Sequence, residues 1–263
     1  ARLKKDMDKM RSWLDQGLEK NPDHLELLLT QAQIEANSKN YSAAAKNLNK
    51  VIDLKPDEPK HRINLAKLYM AAGKKDDAQK VLESAMAVDE KDEKLRIGVA
   101  AFWLVAKDLE KAEELIREGL VISPDSFDYR LFQAEIYLKT RRLNDAEMIL
   151  RQALELNPDP ANPDIIKTRM GLAKVLALKG KLEESEQLVD QVLENDPKNV
   201  DAHTLKGRFF LNRKDGINAV AAFRVVAEDR PGNVEGHLNL ARAHAVNKEY
   251  ELALDVLEKA YEK

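Results

Sequence analysis

The prolines of this chain recur at a fixed interval. Six of the nine are spaced by multiples of 34 residues, apart from one five-residue insertion, at Pro22, Pro56, Pro124, Pro158, Pro197 and Pro231. Glu90 occupies the slot that falls between Pro56 and Pro124. A constant period of this length is typical of repeated helical units, each of which packs on its neighbours. The period therefore predicts an elongated array rather than a single globular core.

Two positions within each 34-residue unit are small. When the first unit is numbered from Leu25, position 8 is alanine or glycine, at Ala32, Ala66, Ala100, Ala134, Ala173, Gly207 and Ala241. Position 20 is alanine or serine, at Ala44, Ala78, Ala112, Ala146, Ser185, Ala219 and Ala253. Small side chains are expected where two helices cross closely, because a larger one would force the backbones apart. The pattern predicts two helices in every unit, joined by a turn.

The period, the two small positions and the proline at position 32 resemble the tetratricopeptide repeat (TPR) family. The resemblance implies an all-α helix-turn-helix solenoid, a right-handed superhelix of seven repeats and one N-terminal half repeat in one continuous domain. The repeats lie at 25–58, 59–92, 93–126, 127–160, 166–199, 200–233 and 234–263, the last one incomplete. Residues 1–24 are expected to supply the second helix of a truncated repeat, so the sequence is predicted to be a piece of a longer protein.

Residues 161–165, Ala-Asn-Pro-Asp-Ile, interrupt the period between the fourth and fifth repeats. Because Pro158, Pro160 and Pro163 restrict the backbone, we expect a stiff loop there. Two interpretations stay open. The insertion is either a surface change that the fold tolerates, or a loop that contacts a partner or alters the superhelical pitch.

The turns carry two further signals. Gly73, Gly180 and Asn40 fall between the two helices of their repeats, where a left-handed backbone is useful. Position 4 is basic in four consecutive repeats, at Arg62, Arg96, Arg130 and Arg169, and is histidine at His203 and His237. We expect a structural ladder, in which the arginine stems cover apolar surface. Its candidate partners near the preceding turns are Asp57, Asp125 and Asp159.

Composition excludes several classes of function. The formal net charge of −3 argues against a duplex nucleic-acid binder, which usually has a strongly basic face. The absence of cysteine excludes disulfides and thiol catalysis. The longest apolar run, residues 97–106, has ten residues, whereas a membrane-spanning helix needs roughly 20. The sequence therefore predicts no nucleic-acid partner and no transmembrane segment, and leaves both the bacterial periplasm or envelope and the cytoplasm open.

No pattern typical of catalysis stands out. Glycines occur singly, so there is no glycine-rich phosphate loop, and no serine or aspartate has the flanking residues of a known nucleophile. His203 and His237 hold the same position in successive repeats, which places them too far apart to share a metal ion at roughly 2 Å from each nitrogen. We predict no catalytic residues, no metal site and no cofactor.

One face of the first helix of each repeat is the candidate binding surface. Positions 2, 5, 9 and 12 share this face, and by resemblance to TPR proteins it lines a concave groove that holds a partner peptide. The face is mostly apolar in repeats 2–4 and has a basic line in repeats 5–7, which includes Lys167. The candidate residues are Ile63, Lys67, Met70, Ile97, Ala101, Leu104, Leu131, Phe132, Glu135, Leu138, Met170, Lys174, Arg208 and Arg242.

These residues predict a groove for an extended or helical protein segment that carries apolar and acidic residues. The alternative is that neighbouring helices already cover position 5. Chaperone-binding TPR domains grip a C-terminal carboxylate with lysine, asparagine and arginine at set positions, and no three repeats here match that pattern. A chaperone co-factor role is therefore disfavoured.

The sequence thus predicts a non-catalytic scaffold for protein–protein interaction. Phrases such as LKGRFFL and LNLARAHA are similar to long bacterial TPR proteins, among them extracytoplasmic lipoproteins linked to exopolysaccharide production and protein export. This resemblance implies an envelope, secretion or exopolysaccharide assembly. Two alternatives stay open: a targeting arm of an enzyme whose catalytic domain lies outside this sequence, and a homo-oligomer that assembles through uncapped ends.

Overall fold

The computed structural model describes residues 2–261, and the side chains of residues 9–260. The described residues form fifteen helices and no strand. The helices are α1 (Arg2–Lys20), α2 (Leu25–Asn37), α3 (Tyr41–Leu54), α4 (Pro59–Ala71), α5 (Lys75–Met86), α6 (Glu93–Val105), α7 (Leu109–Ile122), α8 (Phe127–Lys139), α9 (Leu143–Leu154), α10 (Pro163–Leu178), α11 (Leu182–Asn195), α12 (Val200–Asn212), α13 (Gly216–Asp229), α14 (Val234–Val246) and α15 (Tyr250–Tyr261). They form two compact units. Unit 1 ends at Ile122 and contains α1–α7, and unit 2 begins at Ser123 and contains α8–α15.

Each repeat pairs a first helix (helix A) with a second helix (helix B), from α2 with α3 to α14 with α15. The small residues at positions 8 and 20 are buried in all seven repeats. Repeat 5 shows their relation directly, because the hydroxyl of Ser185 at position 20 donates a hydrogen bond of 2.7 Å to the carbonyl of Ala173 at position 8. The two helices therefore cross at these positions, as the sequence predicts.

Repeat 6 has glycine at position 8 because its partner is large. A Cβ atom on Gly207 would lie only 2.6 Å from Cζ of Phe223, the fully buried residue at position 24. The other repeats combine alanine at position 8 with an aliphatic residue at position 24. Here the aromatic ring fills the space that the methyl group occupies elsewhere.

All seven turns between helix A and helix B place position 15 in the left-handed region. The residues with positive φ are Lys39, Gly73, Lys107, Arg141, Gly180, Lys214 and Lys248. Gly73 and Gly180 were predicted in this role, but the prediction of Asn40 is wrong, because Lys39 takes the left-handed residue of that turn. The non-glycine residues here are all basic. A positive charge just after a helix C-terminus interacts favourably with the helix dipole, which offsets part of the left-handed strain.

Position 4 closes the turn between repeats, but not through aspartate. Its side chain bonds to backbone carbonyls of that turn: Arg62 to Pro56 at 2.5 Å, Arg96 to Glu90 at 3.2 Å, Arg130 to Ser126 at 3.0 Å, Arg169 to Pro160 at 3.1 Å, His203 to Pro197 at 2.9 Å and His237 to Pro231 at 2.9 Å. None of the three candidate aspartates pairs with this column within the described residues. Carbonyls beyond a helix end lack an intrahelical donor, so the turn itself supplies the acceptor.

The insertion at 161–165 is only partly a loop. Helix α10 begins at Pro163, the first helical position that proline tolerates, and Asn162 caps it by accepting hydrogen bonds from the N–H groups of Asp164 and Ile165. Ile165 is buried in the first turn. The predicted stiff loop therefore ends at Asn162, and the rest of the insertion lengthens helix A of repeat 5.

The Gly207–Phe223 contact predicts a compensating pair of substitutions. Gly207→Ala alone should lower the free energy of unfolding by about 1–3 kcal/mol through overpacking. Adding Phe223→Leu should recover part of that loss, because the smaller side chain restores the combination found in other repeats. Urea denaturation of both single variants and the double variant measures this, and purely additive effects would contradict the contact.

Candidate functional site

A groove opens between the A helices of repeats 2 and 3. It has a volume of about 650 Å³. Its lining residues are Lys60, Ile63, Asn64, Lys67, Met70, Gly98, Ala101, Phe102, Val105 and Ala106. All of them lie on α4, on α6 or just after α6, inside unit 1, and we call this feature the α4–α6 groove.

Helical spacing brings the groove residues together. Ile63, Lys67 and Met70 follow one another along one side of α4, at positions 5, 9 and 12 of repeat 2. Facing them, Gly98 has no side chain, and the Cδ1 atom of Ile63 lies 3.8 Å from where a Cβ would stand. The missing side chain keeps the space open between the two helices.

The walls of the groove are apolar and accessible. Val105, at the end of α6, is 84% exposed, and Ala101 is half-buried. Four of the residues predicted from the sequence line this groove: Ile63, Lys67, Met70 and Ala101. Phe102 and Val105 were missed, because they lie at positions 10 and 13, outside the face that the helical periodicity assigned.

The groove also carries positive charge. Lys67 lines it, and Lys94 is exposed at position 2 of the next repeat. Within the described residues neither lysine forms an ion pair. Lys60 differs, because its Nζ lies 2.5 Å from the Glu58 carboxylate. Lys67 therefore stays available in the groove, and Lys94 stays available on the exposed surface of α6.

The basic line predicted in repeats 5–7 is mostly neutralised. Lys174 donates a 2.6 Å hydrogen bond to Asp201, and Arg208 donates one of 2.7 Å to Glu235. Each bond joins position 9 of one repeat to position 2 of the next, 27 residues along the chain. The hydrogen bond from Lys174 also holds the pKa of Asp201 below its ordinary value. In unit 1 the same two positions hold Lys67 and Lys94, which repel rather than pair.

The remaining members of the basic line have local polar partners. Lys167 pairs with Asp164 at 3.2 Å, and Arg242 donates to the Asn239 amide oxygen at 3.4 Å. These partners were not predicted, because following a single position across the repeats does not show which residues at other positions lie next to it. The line therefore offers an acidic ligand less free charge than predicted.

Position 5 is covered by neighbouring helices to different extents in unit 2. Met170, predicted as a groove residue, is 5% exposed and packs with Val189, Leu205 and Phe209 in the core of repeats 5 and 6, so it offers a partner almost no surface. Leu131 packs against the core cluster that contains Leu172. The alternative stated from the sequence therefore describes Met170, whereas Leu238, at position 5 of repeat 7, is 41% exposed.

The other candidate residues do not line the α4–α6 groove. Ile97, Leu104 and Phe132 are half-buried, and Leu138 packs beside the core of repeats 4 and 5. Glu135 is exposed and lies 3.5 Å from Lys139.

Acidic and metal-ligating side chains form no candidate centre in the described part of the chain. No group of three or more histidine, aspartate or glutamate residues is placed to hold a metal ion there. Over the same residues, no helix combines the length and hydrophobicity that crossing a membrane requires.

One buried carboxylate has a structural role. Glu147 on α9 accepts hydrogen bonds from Lys179, from Lys181 at 3.2 Å and from Arg151 at 2.8 Å. The hydrogen bond from Lys179, supported by those from Arg151 and Lys181, lowers the pKa of Glu147 from 4.5 to about 2. This cluster ties repeat 4 to repeat 5. The sequence did not indicate this cluster, because Lys179 and Lys181 lie 32 and 34 residues from Glu147.

The Glu147 cluster predicts a pH dependence of stability. Because the pKa is lower in the folded than in the unfolded chain, the contribution is complete above pH 4.5 and is lost as the pH falls towards about 2. Glu147→Gln should lower the free energy of unfolding at neutral pH by roughly 2–3 kcal/mol and flatten its dependence on acid pH.

The control is Glu184→Gln, which removes an exposed carboxylate 3.1 Å from the same Arg151. It should change the free energy of unfolding by about 0.5 kcal/mol or less. Urea denaturation at a series of pH values measures both variants, and equal effects would show that burial of Glu147 does not matter.

The comparison with known families decides what kind of array this is. The tetratricopeptide repeat family matches residues 35–101 and 137–209, and a second description of the same repeat matches residues 218–263. The chain belongs to the tetratricopeptide repeat family. The prediction of an all-α TPR solenoid is confirmed, and this scaffold is typically non-catalytic.

Solved TPR structures share the fold at low sequence identity. Yeast Tom70 is 13% identical with a TM-score of 0.67, over 97% of this chain and 55% of its own length. The human IFIT1 dimer with m7Gppp-AAAA is 16% identical with a TM-score of 0.52, over 98% of this chain and 68% of its own. PilW, a type IV pilus biogenesis factor, is 20% identical with a TM-score of 0.54, over 78% of this chain and 89% of its own.

These identities show the fold alone. The chain spans only about half the length of Tom70. None of the curated proteins compared with this chain matches its sequence. The resemblance to bacterial extracytoplasmic lipoproteins stays a prediction.

Proposed function

We propose that this TPR protein is a non-catalytic scaffold that binds a segment of a partner protein in the α4–α6 groove. The segment carries at least one large apolar side chain and, next to it, one or more acidic residues. The observation that carries the proposal is the open apolar wall beside Lys67, which has no ion-pair partner among the described residues. Lys94 also has none there, and it holds the repeat position that pairs with position 9 in repeats 5 and 6.

The apolar wall supplies most of the affinity. Burying one leucine- or phenylalanine-sized side chain contributes about 1.5–3 kcal/mol, because it removes apolar surface from water. Ile63, Met70 and Val105 offer such a surface on both sides of the groove. A partner side chain that enters between α4 and α6 would contact all three.

The lysines select and orient the segment. Ion pairs at an exposed rim contribute only about 0.2–1 kcal/mol each, so Lys67 and Lys94 add little affinity. They do disfavour a basic segment and favour an acidic one, which gives specificity. The apolar contact and the charge preference together define the partner chemistry: apolar at the centre and acidic at the flank.

Repeats 5–7 support this choice of location. In repeats 5 and 6 the position-9 cations are already paired with carboxylates of the next repeat, and Met170 is buried. An acidic ligand would have to displace Asp201 or Glu235 to bind there. Unit 1 requires no such exchange. As part of the same proposal, we suggest a bacterial envelope, secretion or exopolysaccharide assembly as the partner's setting, a suggestion that rests on the sequence resemblance alone.

Val105→Glu tests the apolar wall. The probe is a synthetic peptide of two leucines flanked on each side by two glutamates, and its affinity is measured by isothermal titration calorimetry. Because Val105 is almost fully exposed, the substitution should leave the fold intact while it places a carboxylate in the groove. We expect at least a tenfold loss of affinity, about 1.4 kcal/mol.

Two matched controls accompany this variant. Val121→Glu makes the same change at a residue that is 78% exposed on α7, outside the groove, and should bind the peptide like the parent. Lys67→Glu should weaken binding about fivefold, whereas Lys174→Glu, at the same repeat position in unit 2, should not. If circular dichroism shows that all four variants are folded and they bind the peptide with equal affinity, the proposal is overturned.

A further inference from the structure

A second cavity lies on the other side of α6. It has a volume of about 470 Å³ and is bounded by α5, α6 and α7, all in unit 1. Its lining residues are Gln79, Leu82, Glu83, Met86, Ala87, Glu90, Arg96, Val99, Trp103, Lys111, Glu114, Leu115 and Glu118. We call it the α5–α7 slot. None of its lining residues belongs to the α4–α6 groove.

The slot coincides with the break in the proline period. Glu90 stands where the other full repeats have proline, and α5 ends at Met86, two repeat positions earlier than α3 and α7. The segment from Ala87 to Asp92 then leads into α6. The slot therefore opens at the one irregular junction between repeats in unit 1.

The floor of the slot is apolar. Leu82, Val99 and Trp103 are nearly fully buried at its base, while Met86 and Leu115 are half-buried on its walls. A partner side chain that enters would exchange water for these apolar contacts. The space suits one large aliphatic or aromatic side chain.

The rim of the slot is acidic. Four glutamates face two cations among the lining residues. Both cations are already engaged: Arg96 donates to Glu118 at 3.1 Å, and the Lys111 Nζ donates to Gln79 and lies 4.4 Å from the centre of the Trp103 ring. Glu83 and Glu114 are exposed at the edge, the latter 3.9 Å from Arg117. This surface therefore favours a positively charged ligand, whereas the groove favours a negatively charged one.

Arg96 fixes the segment that leads into α6. Its side chain is buried, and its Nη2 donates a hydrogen bond of 3.2 Å to the carbonyl of Glu90. Within the described part of the chain its buried Nε has no hydrogen-bond acceptor, and neither has the Nε of Arg130 at the same position of the next repeat, so this feature belongs to the position-4 column rather than to the slot.

We propose that the α5–α7 slot is a second protein-binding site, which takes a basic segment with one large apolar side chain. The apolar side chain enters between Met86 and Leu115, and flanking lysine or arginine residues pair with Glu83 and Glu114. Because the slot and the groove prefer opposite charges, one scaffold holds an acidic and a basic segment on opposite sides of α6.

Tryptophan emission reports occupancy of the slot. The chain has two tryptophans, and Trp13 is exposed on α1, so Trp13→Phe leaves Trp103 as the only one. The probe is a peptide of two leucines flanked on each side by two lysines. We expect a saturable change in Trp103 emission with this peptide and none with a counterpart in which serines replace the lysines.

Glutamine variants in the Trp13→Phe background test the rim. Glu83→Gln/Glu114→Gln should weaken the lysine peptide about tenfold. The control Glu110→Gln/Glu194→Gln removes two exposed carboxylates outside the slot and should leave the affinity within about twofold. The groove variant Val105→Glu should also keep it, which separates the slot from the groove.

Several outcomes would overturn the proposal that the slot is a binding site. These are unchanged Trp103 emission at saturating lysine peptide, equal weakening by both pairs of glutamine substitutions, or full affinity in Glu83→Gln/Glu114→Gln. Circular dichroism of each variant confirms that the fold is retained. Failure of the glutamate-flanked peptide in the groove experiment would leave these results unaffected.

Discussion

The close crossing of helices A and B is the contact on which the rest of this structure depends. At each crossing two small residues meet, and in repeat 5 the side chain of Ser185 bonds directly to the backbone of Ala173. Backbones this close leave no room for adjustment, as the Gly207–Phe223 pair shows. The crossing fixes the direction of every helix A, and with it the side chains that line the groove.

At position 4, the fold relies on backbone acceptors of the turn between repeats rather than on particular side-chain partners. Arginine and histidine both serve at position 4, because each places a donor against a carbonyl of the preceding turn. Position 15 likewise accepts more than one residue type, because glycine and basic residues both adopt the left-handed conformation there. Such positions tolerate different residues as long as one physical requirement is met. This tolerance explains why the repeats share a structure with so few identical residues.

Much of the fold could be predicted from the sequence, because its signals repeat at short range. The period, the small residues and Gly73 reflect local requirements that every repeat shares. The predictions that failed depended on contacts between repeats. Met170 is buried by residues of repeat 6, and Lys174 is paired with Asp201, so neither is visible in a single column of the repeat. Phe102 and Val105 were missed because the groove is wider than the face that helical periodicity assigns.

Helix α6 separates the two cavities, and its side chains alternate between them. Phe102 lines the groove, Trp103 lines the slot, and their rings meet edge to face with centroids 5.1 Å apart. A shift of this helix towards one cavity is a shift away from the other. Thermodynamic linkage then requires reciprocity: if an occupant of the groove changes the affinity of the slot by some factor, an occupant of the slot changes the affinity of the groove by the same factor. The thin wall between the sites would make α6 the element through which two partners sense each other.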